Sequence, residues 1–163
     1  MLDVLHSMLA EYRHESGLTR QVLMATPDDH LEFRPVESAH TIAWNAGHLA
    51  DIPSWMSVVL EEDSFDVAPP NEPPHESPQI DRVAEAVKRF DENTQQAVSV
   101  MERFDPQRLN DLWTLQAGGQ PIETETRWII YRRYMINHVA HHRGHLLAYL
   151  RICGVETPLL YGG

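Results

Sequence analysis

Apolar positions recur at helical spacing in four separate stretches of the chain. Over residues 2–25 the steps alternate between three and four through Leu2, Leu5, Leu9, Tyr12, Ser16, Thr19 and Leu23, and Met8 and Val22 widen the stripe. Side chains three and four apart share one face of a helix, so this pattern predicts a helix that Pro27 and Asp28–Asp29 end. Over residues 41–60, Ile42, Asn45, Leu49, Ile52, Met56 and Val59 form a second stripe, with Trp44, His48 and Trp55 in a line beside it. Thr41 or Ser38 can cap this helix. Pro53 offers no N–H to the Leu49 carbonyl, which predicts a kink or loosened turn just past His48.

In the third stretch Ser77–Pro78 reads as N-cap and first helical residue. Ile80, Val83, Val87, Phe90, Thr94, Ala97, Met101 and Phe104 then carry the cleanest amphipathic alternation in the chain, up to Asp105–Pro106. The fourth stretch, residues 124–154, reads as one long helix with Thr124 as N-cap and Gly154 as its stop. Trp128, Met135, Val139, His142, Leu146 and Leu150 fall on one stripe of it, and Arg133, Asn137, Gly144 and Arg151 fall opposite.

The connections are read from composition. Residues 28–40 form a link in which Phe33 and Pro35 pack over the helix ends. Residues 61–78 are so rich in proline and acid that they read as a long crossover or flap, with neither helix nor strand and with His75 solvated. Residues 105–123 read as irregular or as a short ribbon turning at Gly118–Gly119. The expected class is all-α: a four-helix bundle with a long crossover connection, forming a single domain over residues 1–163. The tail, with Leu159, Leu160 and Tyr161, packs back or docks against a second subunit.

Charge and cysteine content narrow the function. A formal net charge of −11 suits neither nucleic acid nor an anionic membrane. No apolar run is long enough to span a bilayer, and the acidic, helix-patterned N-terminus does not read as a signal peptide. Cys153 is alone, so no internal disulfide forms, and a cytoplasmic location is expected.

The chemistry concentrates in histidines. His138, His141, His142 and His145 occupy the final helix as two overlapping His-x-x-x-His pairs. Residues four apart are neighbours on a helix, so each pair can converge on a metal ion. His142 lies inside the apolar stripe and His138 at its edge, whereas His141 and His145 point toward the polar side. The pattern equally fits surface or core histidines that hold nothing. His48 is the one inward-looking histidine of the second helix, and His6 and His14 read as partly exposed structural residues.

Three segments resemble the DinB-like (DinB/YfiT-like) superfamily: TIAWNAGHLADIPSW, NHVAHHRGHLLAYLR and the ending CGVETPLLYG. The chain departs from the commoner HHRGQ by carrying His145 in HHRGH. The resemblance implies that His48, His138 and His142 bind a divalent metal, which three imidazoles and no cysteine suit as zinc or nickel with an open position. It further implies a metal-dependent transferase that uses a low-molecular-weight thiol on a small-molecule substrate, and a homodimer. In that reading an electrophile enters beside Trp44 and Trp55. Arg143 steers an anionic group or makes an ordinary surface ion pair, and Cys153 lies too far along the helix to be the nucleophile. His145 and His141 are further candidates near the site. The alternatives are a metal-dependent hydrolase, with Asp51 as base or as partner of a ligand, and a non-catalytic stress-associated binding module.

Overall fold

The protein is described here by a computed structural model covering residues 3–162. Helix α1 (Val4–Met24) starts where the Asp3 carboxylate accepts from the Leu5 and His6 N–H groups. Leu2, the first position of the expected stripe, lies outside the described residues. Helix α2 (Ile42–Asp51) is capped by Thr41, whose hydroxyl oxygen accepts from the Trp44 N–H at 3.1 Å. At Pro53, where the sequence predicts a kink or loosened turn, the α-helix is interrupted by a single 3-10 turn (Ile52–Ser54), a tighter turn, before helix α3 (Trp55–Glu61). Helix α4 (Val83–Arg103) follows the crossover. The last helical segment comprises α5 (Arg127–Ile130), a π-helical stretch (Tyr131–Asn137) and α6 (His138–Ile152).

The all-α expectation is overturned by a three-stranded mixed sheet. Strand β1 (Ser64–Asp66) pairs in parallel with β2 (Leu112–Ala117), and β2 pairs antiparallel with β3 (Gln120–Thr126). Two misreadings concealed it. The crossover prolines rule out a helix, but none falls within Ser64–Asp66, which is free to extend along β2. The sequence pattern divides residues 120–126 between ribbon and helix, although Ile122, Thr124 and Thr126 are β-branched at alternate positions. Thr124 is therefore a strand residue, its hydroxyl 3.0 Å from that of Thr114, and Thr126 caps the helix instead. Pro121 fits because β3 is an edge strand. The expected turn at Gly118–Gly119 is present, with both residues at positive φ (63° and 75°), as a two-residue hairpin requires. The Asp66 carboxylate pins it by accepting from both glycine N–H groups.

The third helix also starts later than Ser77–Pro78. Those residues cross over α2 so closely that a Cβ on Gly47 would lie 2.2 Å from the Pro78 carbonyl oxygen. Asp28 supplies the missing cap, accepting from the Val83 N–H at 2.7 Å.

The helices α1 and α2 each pack against both α4 and α6. Met8, Tyr12, Leu49, Met56, Phe90 and Leu146 are among the side chains buried between them. The π-helical stretch adds a residue to the turn and rotates everything N-terminal to it. Trp128, expected in the buried stripe, is consequently 36% exposed, while Arg127 turns inward and donates to the Val59 and Glu62 carbonyls and to Asp63. The tail packs back: Leu160 is buried and the Tyr161 hydroxyl reaches Glu15 and Arg143, while Leu159 stays exposed.

Candidate metal centre

His48 on α2 and His138 and His142 on α6 come together as the helix phase of each segment dictates. Each offers one ring nitrogen to a cluster in which these atoms lie within 4.8 Å of one another, a grouping able to hold a metal ion. The π-helical stretch ends at Asn137, so His138 and His142 are one regular α-helical turn apart and present rings with centroids separated by 4.5 Å. The His48 ring is 4.4 Å from that of His142 and 5.1 Å from that of His138.

The hydrogen bonds behind the rings select which nitrogens face inward. Asn45, one turn before His48, donates its amide to the Thr41 carbonyl at 2.9 Å, which turns its oxygen toward His142 Nδ1 at 3.2 Å. An amide oxygen only accepts, so His142 carries its proton on Nδ1 and keeps a lone pair on Nε2. Ser77 Oγ lies 2.6 Å from His48 Nδ1 and anchors that ring, while His48 Nε2 is directed at His138 Nε2 across 2.9 Å. That contact takes an N–H of one ring donating to the other. Two nitrogens on a tetrahedral ion with bonds of about 2.0–2.1 Å sit about 3.3 Å apart, so an ion needs this pair to open by only about 0.4 Å.

Burial keeps the rings neutral. The His48 imidazole is pushed down to about 4 by desolvation, reinforced by His138, His40 and His75. That of His142 is pushed down to about 3 by desolvation and then by the other histidines around it. Burial, with His141 beside it, lowers His138 as well. At neutral pH all three are therefore uncharged donors, the form a metal takes.

The other expected residues are placed as follows. Trp44 stacks on His48 at 4.6 Å, and Trp55 lies 5.5 Å from His48 and 5.9 Å from His138. Asp51 is not a member of the cluster and accepts from Trp55 Nε1 and from His75. His141 and His145 form an exposed pair, ring centroids 4.2 Å apart, outside the cluster. Arg143 is not on the surface: it is 2% exposed and bound to Glu15, Thr19 and Tyr161 on the far side of α6. Cys153 lies eleven residues beyond His142, roughly 16 Å along the helix.

Beside the cluster lies a cavity of about 230 Å³. Trp55 and Val58 form its helical wall, Phe65, Trp113 and Leu115 its sheet wall, and His138, Tyr134 and His75 its polar margin. Trp113 is fixed by its indole N–H donating to the Val58 carbonyl at 3.1 Å. A second opening, a cleft lined by Trp44, His48, Trp55, His75 and Ser77, approaches the cluster from the crossover side.

Four residues at the site went unnoticed as such in the sequence. Asn45 had a signal, being an amide inside an apolar stripe three residues before a histidine. In the sequence Ser77 reads as a helix cap, His75 as solvated and Tyr134 as having no role, and only the tertiary path of the crossover and the π-helical stretch brings them to the site.

Comparison with known proteins places the chain in a family and shows a shared fold. The model of the DinB family matches residues 1–163. A DinB-like protein of Bacillus subtilis has a similar structure, with a TM-score of 0.70, 18% identity, and coverage of 94% of this chain and 96% of the other. A DinB-like protein of Bacillus cereus gives a TM-score of 0.70 and 16% identity over 96% of this chain and 97% of the other, a likeness of fold. No protein of curated function matches. With the family model spanning its whole length, the chain belongs to the DinB family.

Proposed function

We propose that the protein is a metal-dependent transferase that joins a low-molecular-weight thiol to a small, largely apolar electrophile. The observation that carries this reading is the junction of two unlike environments at one residue. His138 belongs both to the three-histidine cluster and to the wall of the apolar cavity.

His48, His138 and His142 would hold a divalent ion, zinc or nickel by the softness of an all-imidazole donor set. When bound, such an ion lowers the pKa of a thiol at its open position. The chain's own residues do the rest. Asn45 holds His142 in the donor tautomer, and Ser77 anchors the His48 ring. Trp44 and Trp55 cover His48 on two sides and limit the water around it. The walls formed by Trp55, Val58, Phe65, Trp113 and Leu115 select an apolar group, each buried methylene contributing about 0.8 kcal/mol. The three-stranded sheet supplies one wall of this chamber through Phe65, Trp113 and Leu115.

The test is a turnover assay with protein loaded with zinc or nickel, a panel of small thiols, and matched apolar and charged electrophiles. The expected result is product formation that requires both ion and thiol and favours the apolar electrophile. Ion-dependent turnover without a thiol requirement replaces this reading with hydrolysis. No turnover with any pair, together with a lower melting temperature after stripping the ion, replaces it with a binding module.

A further inference from the structure

We infer that His75, oriented by Asp51, is the general base of the site, accepting the thiol proton and returning it to the leaving group; this rests on the thiol-transfer reading above. The crossover delivers His75 to the site. Its N–H donates to the Val67 carbonyl at 2.8 Å, and the Val67 N–H donates in turn to Gln116 of β2 at 2.9 Å, so the residue is tied to the sheet. Its ring Nε2 lies 2.9 Å from Asp51 Oδ2, the same oxygen that accepts from Trp55 Nε1 at 3.0 Å. Asp51 is 8% exposed, and a carboxylate offers no proton to the ring. His75 Nε2 therefore carries the N–H, and the basic lone pair is on Nδ1. Among the described residues Nδ1 has no hydrogen-bond partner.

The position of the ring argues for more than a tie between crossover and helix. His75 lines the apolar cavity together with His138, and it lines the outer cleft together with His48. It is the polar group shared by both openings other than the indole of Trp55, against which it packs at 5.9 Å. The titratable groups around it are Asp51 and His48 from α2, Tyr134 and His138 across the cavity, and Glu76 beside it in the cleft. Asp51 is the one in hydrogen-bond contact, and it fixes the orientation of the ring.

The step balances without another reactant. The thiol S–H proton passes to His75 Nδ1, and the sulfur electron pair forms a bond to the electrophilic carbon. The bond from that carbon to its leaving group breaks, and the departing group takes the pair and then the proton from His75.

The experiment compares native protein, His75→Gln and Asp51→Asn, each loaded with zinc and analysed for metal content. Gln keeps a donor toward Asp51 but has no base. Binding of 2-mercaptoethanol is followed by calorimetry in two buffers of different ionisation enthalpy, which counts the protons released. Native protein should release clearly less than one proton per thiol near pH 7, and His75→Gln about one. Turnover by His75→Gln should fall about 10²–10⁴-fold at pH 7. That deficit should narrow as pH rises toward the pKa of the thiol, with zinc content unchanged. Asp51→Asn should lie between the two. Equal proton release and parallel pH profiles in native protein and His75→Gln overturn the assignment and leave the thiol reading standing. Failure of native protein to bind the thiol overturns both.

Discussion

The Asn45 side-chain oxygen lies 3.2 Å from His142 Nδ1, while the nitrogen of the same amide donates to the Thr41 carbonyl. One buried amide thus reads the helix backbone on one side and sets the tautomer of a candidate ligand on the other. Asn45→Ala should weaken zinc binding by about 10–100-fold, the usual effect of losing the partner behind a ligating histidine. Asn45→Asp, which still accepts, should bind within a few-fold of native. Competition with a coloured chelator measures both.

Stability should depend on pH through the same cluster. His48 is pushed to about 4 and His142 to about 3, against an ordinary 6.5. Between pH 6.5 and those values the unfolded chain binds protons that the folded chain refuses. Their contribution is therefore fully present above about pH 6.5 and is lost as pH falls through the window. The melting temperature should drop across it, and less steeply in a His48→Gln/His142→Gln double variant. Thermal melts of both proteins between pH 4 and 8 check the sign. Ion affinity should fall over the same range, because protons compete for the lone pairs.

How far the sequence carried the account depends on which interactions each element rests on. Residues His48, His138 and His142 were legible because their elements are locally determined: Thr41 caps α2 and a regular α-helical turn separates the pair on α6. The helix interruption at Pro53 and the turn at Gly118–Gly119 are legible for the same reason, since each follows from the backbone chemistry of one or two residues. Strand β1 was not, because its three residues gain their pairing from a partner some fifty positions away. Trp128 falls on the wrong face in the sequence pattern because periodicity assumes a constant turn, and nothing in YRRYMIN announces a π-helical stretch. Arg143 looked like a surface residue because its partners Glu15 and Tyr161 come from opposite ends of the chain.

Gly47 marks where the crossover meets the helix. A Cβ there would lie 2.2 Å from the Pro78 carbonyl oxygen, a backbone atom that cannot rotate away. Gly47→Ala should displace residues 77–80, take Ser77 off His48 and destabilise the fold by about 1–3 kcal/mol. Chemical denaturation gives the stability change, and the chelator competition gives the accompanying loss of ion affinity.

Arg143 separates stability from the site. Its guanidinium is 2% exposed and reaches Glu15, Thr19 and Tyr161, and it helps hold the Glu15 carboxyl below its ordinary range. Arg143→Ala removes the buried member of a pair whose carboxylate is partly exposed, and should cost about 1.5–3 kcal/mol. At a temperature where the variant remains folded, zinc binding should stay within a few-fold of native. Denaturant midpoints and ion titration, run in parallel, test both parts.

The most direct measurement is the metal content of purified protein by elemental analysis, alongside His48→Ala and His142→Ala. The two residues lie on different helices and meet only at the cluster. The account predicts about one divalent ion per native chain and its loss in both variants. Native protein that holds no ion, even after incubation with zinc and nickel, would contradict it and leave three packed, neutral histidines in the core.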